Sequence, residues 1–528
     1  MAHCLLIPLV AIIAASTVHA QAGKPNMVFF LTDDLDLELR SMKPLVRTRK
    51  LLGDQGVTFA NAYVTTPLCC PSRSSILTGL YAHNAGVHNN SVAGGCSSLG
   101  WQRGPERCAF AVALREAGYE TFYAGKYLNQ YGHKKAGGVQ HVPPGWSHWN
   151  GLVGNSVYYN YTLSVNGVPE RHGDSPDKDY LTDVMAAKAL TFLENRPDPR
   201  RPFFMMLSTP APHQPFTPAV RHKEAFAKLN APRTPAFNVS ANGTKHWLVR
   251  RAIHPIPEDV VSWIDEAYRN RLRTLLSVDD MVSDVMSLLA SKQLLNNTYV
   301  FFTSDNGYHL GQFSQPKDKR QPYETDIHVP LLVRGPGIAA GRTEKGAALN
   351  VDLAPTFLDL AGLPTQGDMD GVSLKPLLLD AASIWPRDSF LVEYTGEGEV
   401  HDQSECHAPY GLSVGTQSYR AGSASHGRLA LRDASDETAL SWKPWLLSAI
   451  SAKKGCDPAV KCECEDSWNN TYLCTRHISG ETNIKFCMFD DEEVSHHRKM
   501  RKWHIKAFAL VDICVRLSVT TVVWTPYI

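Results

Sequence analysis

The sequence predicts an α/β fold in which helices flank a large, mostly parallel mixed sheet, followed by a smaller domain with an antiparallel sheet. Apolar, strand-like runs alternate with helical patterns from Asn26 to about Leu379. Such alternation is typical of buried parallel strands joined by helices. After Trp385 the sequence becomes polar and contains many Gly, Ser and Cys residues, which favours a separate small unit. A chain of 528 residues is long enough for both parts.

The first twenty residues have the features of a signal peptide. An apolar run from Leu5 to Ala15 precedes small residues that end at Ala20. The alternative, a membrane anchor, is disfavoured because this run is too short to cross a bilayer comfortably. We therefore expect cleavage after Ala20. No later segment predicts a membrane span, since charged residues interrupt the apolar stretch Phe508–Trp524.

Charge and sequence motifs indicate which partners and modifications to expect. The net charge is +1 at pH 7, and the basic residues form no stripe, so nucleic-acid binding is not supported. Passage through the secretory pathway permits disulfides and N-linked glycans. Six Asn-x-Ser/Thr motifs are predicted glycosylation sites: Asn89, Asn160, Asn238, Asn242, Asn296 and Asn469.

Ten of the 12 cysteines cluster in two places, one at residues 69–108 and one at residues 406–487. Sequence alone does not give their connectivity. In the first group we expect a bridge between Cys96 and Cys108. In the second group we expect bridges among Cys456, Cys462, Cys464, Cys474 and Cys487.

Four strand-like runs end in polar residues. The runs begin at Asn26, Glu120, Pro202 and Thr298. The polar residues that follow them, or end them, include Asp33, Asp34, Lys126, His213, Asp305 and Asn306. Ligands of parallel α/β sheets bind outside the carboxyl ends of the strands, so we expect these four ends to converge on one rim. The stretch 231–244 is predicted to be an exposed inserted loop.

Two of these strand ends predict a metal site. Asp33 with Asp34, and Asp305 with Asn306, offer hard oxygen ligands that suit Ca²⁺ or Mg²⁺ better than zinc. Taken alone, the first pair is more simply a helix N-cap and the second an ordinary turn. Both pairs follow nearly identical apolar runs, NMVFFL and TYVFFT, and this coincidence favours a metal.

The stretch TTPLCCPSRSSILTGL, residues 65–80, predicts a helix. Pro71 suits the first helical position and Gly79 suits the end. Cys69 and Cys70 would then lie at the helix N-terminus, which stabilises anions, and Arg73 would add a forked donor one turn later. Without further information, adjacent cysteines favour a structural disulfide through one or both of them.

The pattern Cys69-x-Pro-Ser-Arg73, followed by Leu-Thr-Gly79, resembles the signature of the sulfatase family, whose fold is similar to that of alkaline phosphatase. In that family the formylglycine-generating enzyme of the endoplasmic reticulum oxidises the first cysteine to the catalytic formylglycine. The resemblance implies that Cys69 is this precursor and that Cys70 fills a variable position. It extends to about Val494, implying a catalytic domain at 21–384, a C-terminal domain at 385–494 and a divergent tail at 495–528.

The resemblance also implies roles for individual residues. One Ca²⁺ ion would be held by Asp33, Asp34, Asp305, Asn306 and the oxidised Cys69. The sulfate ester would be held or protonated by Arg73, Lys126, His213 and Lys319. Many sulfatases have Gly-Lys-Trp-His where this chain has Gly-Lys-Tyr-Leu128, so the second histidine is missing. His246, beside Trp247, is a candidate for sugar contact, although such a pair more often only packs.

Stretches such as AGKYLNQYG, residues 124–132, are similar to lysosomal glycosaminoglycan sulfatases. This similarity implies hydrolysis of the 6-O-sulfate ester of N-acetylglucosamine in heparan sulfate or keratan sulfate, with a formylglycine hydrate as nucleophile and Ca²⁺ as cofactor. An extracellular 6-O-endosulfatase, a phosphoester or phosphonoester hydrolase and a non-catalytic glycan-binding homologue stay as alternatives. The expected location is the lysosome, with secretion as the alternative, and a homodimer is left open.

Overall fold

A ten-stranded mixed sheet forms the centre of the part of the chain that the computed structural model describes. That part comprises residues 23–240, 248–249, 252–365, 367–380, 383, 385, 387–396, 471–479 and 482–489. The predicted signal peptide, His246, Asn242, Asn469, the cysteines at 406–464 and the tail at 495–528 lie outside the described residues. Numbered along the chain and given in spatial order, the strands are β11 (Arg342–Glu344), β2 (Val57–Phe59), β10 (Leu331–Arg334), β9 (Thr298–Ser304), β1 (Asn26–Thr32), β8 (Phe203–Ser208), β4 (Glu120–Lys126), β5 (His148–Leu152), β6 (Thr162–Val165) and β7 (Val168–Arg171).

The five central strands of this sheet, β9, β1, β8, β4 and β5, run parallel to one another. Antiparallel strands flank them, with β10 against β9 on one side and β6 against β5 on the other. A separate two-stranded parallel pair joins β3 (Ala62–Tyr63) and β12 (Ala348–Leu349). The predicted mostly parallel, mixed sheet is therefore confirmed.

Helices cover both faces of the sheet. The described α-helices are α1 (Val46–Thr48), α2 (Cys69–Thr78), α3 (Ala82–Ala85), α4 (Leu99–Arg103), α5 (Phe110–Glu116), α6 (Leu181–Glu194), α7 (Glu258–Ser291), α8 (Glu324–Ile327), α9 (Leu353–Leu360) and α10 (Lys375–Leu379). Within strand β1, Val28 and Phe30 pack in a core with α6 and α7, whereas Met27 and Phe29 pack in a second core with α2, α5 and α9. This burial on both faces explains why the strand is apolar throughout. None of the described helices is both long and apolar enough to cross a membrane.

Strands β9, β1, β8 and β4 are immediate neighbours, and their carboxyl ends lie at one edge of the sheet. Thr32 is opposite Ser304 in the register, and Gly125 is opposite Ser208. The polar residues that follow these strands therefore lie along one edge, as we predicted from the sequence for the four strand ends. The fold places the site at this edge.

A small antiparallel sheet packs against the main domain beside helix α8. It contains β13 (Ser389–Tyr394), β14 (Tyr472–Ser479) and β15 (Thr482–Phe489), and the disulfide Cys474–Cys487 joins directly opposed residues of its last two strands. This sheet confirms the predicted C-terminal fold class, and its disulfide is one of the pairings expected in the second cysteine group. Arg476 and Lys485 donate hydrogen bonds of 2.6 to 2.8 Å to the carboxylate of Glu324 in α8. Burial opposes ionisation of this carboxyl, but the two cations lower its pKa to about 2.

Candidate active site

Helix α2 supplies two residues to the edge of the sheet, Cys69 at its first position and Arg73 one turn later. The helix begins at Cys69, because Leu68 is extended, so the prediction that Pro71 occupies the first helical position is wrong. Proline is tolerated there because the first amides of a helix need no intrahelical acceptor. The predicted end is confirmed, since Gly79 adopts the left-handed conformation with φ +73° and donates its amide to Ser75 at 2.8 Å.

Cys70 forms a disulfide with Cys96, while Cys69 and Cys108 are free. The expected bridge between Cys96 and Cys108 is therefore wrong, and Cys70 does more than fill a variable position. The loop that carries Cys96 folds back onto the start of α2, where the side chain of Asn90 accepts a hydrogen bond of 2.9 Å from the Cys70 amide. The positions of the cysteines in the sequence did not indicate that Cys96 lies next to Cys70.

Cys69 is fully buried and faces two carboxylates. Its Sγ lies 3.4 Å from Oδ1 of Asp33 and 3.9 Å from Oδ1 of Asp34. Burial raises the pKa of the Cys69 thiol to about 12, which the nearby Lys126 and Lys319 do not offset. The thiol is therefore protonated at neutral pH and is a weak nucleophile in this form.

Asp33 and Asp34 are each bound by a buried lysine. Oδ2 of Asp33 accepts hydrogen bonds from Nζ of Lys126 at 2.7 Å and from Oγ of Ser156 at 2.5 Å. Oδ1 of Asp34 accepts from Nζ of Lys319 at 2.5 Å. Burial opposes ionisation of both carboxyls, but the cations outweigh it and lower the pKa of each. Both carboxylates are therefore charged, and the lysines are fixed at the site.

Asp305 and Asn306 complete the acidic side of the site. Oδ1 of Asp305 accepts the backbone N–H of Asp34 at 3.1 Å, and its Oδ2 accepts Nε of Arg73 at 2.7 Å. Burial raises the pKa of Asp305 to about 7, with the charge of Asp33 adding to the shift. The side-chain amide of Asn306 donates to Oδ1 of Asp34 at 2.7 Å.

Arg73 is almost fully buried, and one of its nitrogen atoms, Nη2, donates no hydrogen bond within the described residues. Its Nη1 donates to the carbonyl of Lys126 and to Oγ of Ser208, both at 2.7 Å. With Nε bound to Asp305, the guanidinium cannot rotate. Nη2 lies 3.8 Å from Oδ1 of Asp33 and has no hydrogen-bond partner among the described residues. This oriented and unpaired N–H group suits an anionic ligand.

His213 lies between two cis X-Pro bonds, Ala211–Pro212 and Gln214–Pro215, in the segment after β8. Its Nδ1 is 2.5 Å from the carbonyl oxygen of Gln214, so Nδ1–H donates and Nε2 faces Oδ2 of Asp34 at 3.8 Å. Burial lowers the pKa of His213 to about 4, although the two aspartates oppose the shift. The ring is therefore neutral at pH 7.

This depressed pKa of His213 predicts a pH-dependent stability. Between about pH 6.5 and pH 4 the unfolded chain binds a proton at His213 that the folded chain does not, so stability falls as the pH falls. From pH 7 to pH 5 the wild-type protein should lose about 1 to 2 kcal/mol more free energy of unfolding than His213→Gln. Denaturant unfolding with a chelator present measures this difference. Equal losses in the two proteins would contradict the prediction.

The residues at this edge fit a hard cation. Ligand atoms of Asp33, Asp34, Cys69 and His213 lie within 4.8 Å of one another. Oδ2 of Asp34 and Oδ1 of Asn306 are buried acceptors with no hydrogen-bond partner in the described part of the chain. Buried acceptors without a donor are costly, and contact with a cation is one way to satisfy such an acceptor. Carboxylate and amide oxygens are the ligands that Ca²⁺ prefers.

The structure also brings in a residue that the sequence did not indicate. Ser156 follows β5 in a loop and reaches Asp33, as given above, but nothing in its local sequence marks it as functional. Leu128, at the position of the missing histidine, is fully buried in a hydrophobic core and offers no polar group.

The four predicted glycosylation sites within the described residues differ in accessibility. Asn160 and Asn296 are exposed, and Asn238 is half-buried, with its side chain accepting the amide of Ile256 at 2.8 Å. Asn89 is buried, and its side-chain oxygen accepts a hydrogen bond of 2.8 Å from Oγ of Ser91. Asn160 and Asn296 are therefore the most accessible to a glycan.

Comparison with known families defines the class of protein. Residues 25–363 match the family model described as Sulfatase, and residues 313–420 match the one described as N-sulphoglucosamine sulphohydrolase, C-terminal. Together with the fold and the buried Cys69 beside paired aspartates, these matches show that the chain belongs to the sulfatase family, whose members are sulfuric ester hydrolases.

Individual relatives narrow the comparison. The chain is 46% identical over 492 residues to N-acetylglucosamine-6-sulfatase of Homo sapiens, covering 93% of this chain and 81% of that protein. It is 43% identical over 390 residues to the extracellular sulfatase SULF-1 homolog of Drosophila melanogaster, covering 73% and 34%. A solved structure in complex with its substrate D-glucosamine-2-N,6-O-disulfate matches with a TM-score of 0.61 and 24% identity, covering 88% of this chain and 89% of that one. This structural match supports the fold.

Proposed function

We propose that the protein hydrolyses the 6-O-sulfate ester of N-acetylglucosamine residues in heparan sulfate or keratan sulfate, and that it does so in the lysosome. The observation that carries this proposal is the fully buried Cys69, enclosed by two carboxylates and by the fixed cations of Arg73, Lys126 and Lys319. The 46% identity to N-acetylglucosamine-6-sulfatase supports the choice of sugar and of ester position.

Two groups would complete the site. The oxidised Cys69 side chain, as a hydrated aldehyde, would supply the hydroxyl nucleophile, and one Ca²⁺ ion would supply positive charge that stabilises the sulfate group. The chain's own ligands for the ion would be Asp33, Asp34, Asp305 and Asn306, together with the oxidised position 69. Their buried oxygens and the two unsatisfied acceptors described above support this assignment.

The cationic side chains bind and orient the sulfate group. Each has a carboxylate partner that fixes its position, Asp305 for Arg73, Asp33 for Lys126 and Asp34 for Lys319. No reorganisation is then needed as negative charge develops on the ester. The loss of one preorganised donor of this kind costs about 2.7 to 4 kcal/mol of barrier.

His213 is the group placed to give a proton to the leaving sugar oxygen. Its Nδ1–H is held by a carbonyl, so Nε2 is the atom that carries and releases the proton. With a pKa near 4 the imidazolium is a strong acid, but only a small fraction of it is present at neutral pH.

Mass spectrometry of the peptide that contains Cys69, combined with an assay on N-acetylglucosamine 6-sulfate, tests the proposal. We expect an aldehyde at position 69 and release of sulfate, with no hydrolysis of N-acetylglucosamine 6-phosphate. An unmodified thiol without sulfate release would instead support a non-catalytic glycan-binding protein. Phosphate release would support a phosphoester hydrolase.

A second candidate, an extracellular 6-O-endosulfatase, is favoured by the 43% identity to the Drosophila sulfatase. The two activities differ in the position of the sulfated sugar. An exo-acting enzyme removes sulfate from a monosaccharide or from the non-reducing end of a chain, whereas an endo-acting enzyme acts on internal residues. Sulfate release from an intact heparan sulfate polymer but not from the monosaccharide would therefore favour the second candidate.

A further inference from the structure

We propose that Arg271, in the middle of helix α7, is a positioning residue that holds Asp34 in the conformation required by the site. The inference rests on the proposed function, because it concerns the calcium and sulfate site built around Asp34. Arg271 does not touch the sulfate position, and neither the signature nor the strand-end pattern indicated it. It acts through the backbone of Asp34.

The backbone of Asp34 adopts an uncommon conformation, although aspartate tolerates it better than most residues do. Its φ is +70°, in the left-handed region, which residues other than glycine seldom occupy. Such a conformation persists only when surrounding contacts hold it, and it is commonly found where function requires it. Here it allows the Asp34 carboxylate to reach Cys69, Lys319 and Asn306 at once.

Three contacts hold this segment. In the peptide group before Asp34, the N–H of Asp34 donates to Oδ1 of Asp305 at 3.1 Å. In the peptide group after it, the N–H of Leu35 donates to Oγ of Ser304 at 2.9 Å. At the other edge of this second peptide group, Nη2 of Arg271 donates to the Asp34 carbonyl at 2.8 Å. The first two contacts come from β9 and the residue after it, and the third comes from helix α7, so the peptide groups before and after Asp34 are both held.

Arg271 is itself rigidly placed. It is fully buried, its Nη2 also donates to Oδ2 of Asp36 at 2.6 Å, and its guanidinium lies 4.4 Å from the ring centre of Tyr308. Asp36 is fixed in turn by Oγ of Ser41 at 2.6 Å and by the amide of Leu39 at 2.8 Å. The contacts with Asp36 and Tyr308 therefore fix the position of Nη2 next to the Asp34 carbonyl.

The use of the guanidinium supports a positioning role over a purely structural one. Nε and Nη1 of Arg271 have no hydrogen-bond partner in the described residues, so the Nη2 contacts to Asp34 and Asp36 are its only hydrogen bonds there. Replacing a buried ion pair by well-packed apolar side chains of similar volume is often neutral or stabilising. An apolar pair in place of Arg271 and Asp36 would, however, lack the hydrogen-bond donor to the Asp34 carbonyl.

The test uses the double variant Arg271→Met/Asp36→Asn, which leaves no buried charge unpaired. Its matched control is Arg273→Met, two residues further along α7. Arg273 is also buried, but it binds Glu266, Asn270 and the carbonyl of Ala225 instead of the site. Calcium binding is measured by titration calorimetry, and turnover is measured on a simple aryl sulfate, so the identity of the sugar does not enter.

We expect the double variant to bind Ca²⁺ about 10 to 100 times more weakly than the wild type, with a similar fall in kcat, and the control to stay within about twofold for both. Thermal unfolding with a chelator present should show both variants folded. Calcium affinity that is unchanged in the double variant, or reduced equally in the control, would overturn the role of Arg271 alone. A wild-type protein that binds no Ca²⁺ would overturn the calcium site and this inference with it.

Discussion

Cys69→Ser is expected to abolish sulfate-ester hydrolysis while the protein still folds. Serine is not a substrate for the oxidation expected at Cys69, so no aldehyde would form. A serine hydroxyl that attacked the ester would lack the second hydroxyl of the hydrated aldehyde and could not expel sulfate. We expect a fall in kcat of at least about a thousandfold on N-acetylglucosamine 6-sulfate, as is usual when a nucleophile is removed.

The surroundings of Cys69 show why folding should survive. Oδ1 of Asp33 lies 3.4 Å from Sγ, so the hydroxyl of a serine would have an acceptor and would not be left unsatisfied. The change in the free energy of unfolding should stay within about 1 kcal/mol. Cys108→Ser is the matched control, because Cys108 is free but exposed, and it should behave as wild type. Appreciable turnover by folded Cys69→Ser would remove position 69 from the chemistry.

The parts of the site that could be predicted from sequence share a local signal. Asp33, Asp34 and Asp305 each directly follow an apolar strand, and parallel strands buried on both faces are nearly continuous apolar runs. The helix that carries Cys69 and Arg73 was marked by proline near its start and by glycine at its end. In each case, the residues that define the element are neighbours in the chain.

The parts that could not be predicted depend on contacts between distant segments. Cys70 pairs with Cys96 because a loop returns to the start of α2, and Ser156 reaches Asp33 from 123 positions away. Arg271 contacts the Asp34 carbonyl across 237 positions. In the sequence of an amphipathic helix, Arg271 cannot be distinguished from other charged residues. Its contact with the site depends on how α7 packs against β1 in the folded protein.

Arg73→Met is expected to lower kcat by a factor of about 10² to 10³, because the variant loses the unpaired Nη2 donor that faces Asp33. KM should change less, since Lys126 and Lys319 still attract the sulfate group. Steady-state kinetics on N-acetylglucosamine 6-sulfate measure both values. Arg273→Met is again the control, because it removes a buried arginine that makes no contact with the site.

The same Arg73→Met substitution should also make stability depend on pH. Without Arg73, Asp305 is buried beside Asp33 with no cation bound to it, and its pKa, already about 7 in the wild type, should rise further. At low pH, Asp305 is protonated in the folded variant and carries no charge. As the pH rises, the unfolded chain releases this proton, whereas the folded variant must either keep it or bury an unpaired negative charge. The stability lost relative to the wild type should therefore grow by about 1 kcal/mol between pH 5 and pH 8, measured by denaturant unfolding with a chelator present. A loss that does not vary with pH, together with a normal kcat, would mean that Arg73 neither compensates Asp305 nor acts on the sulfate.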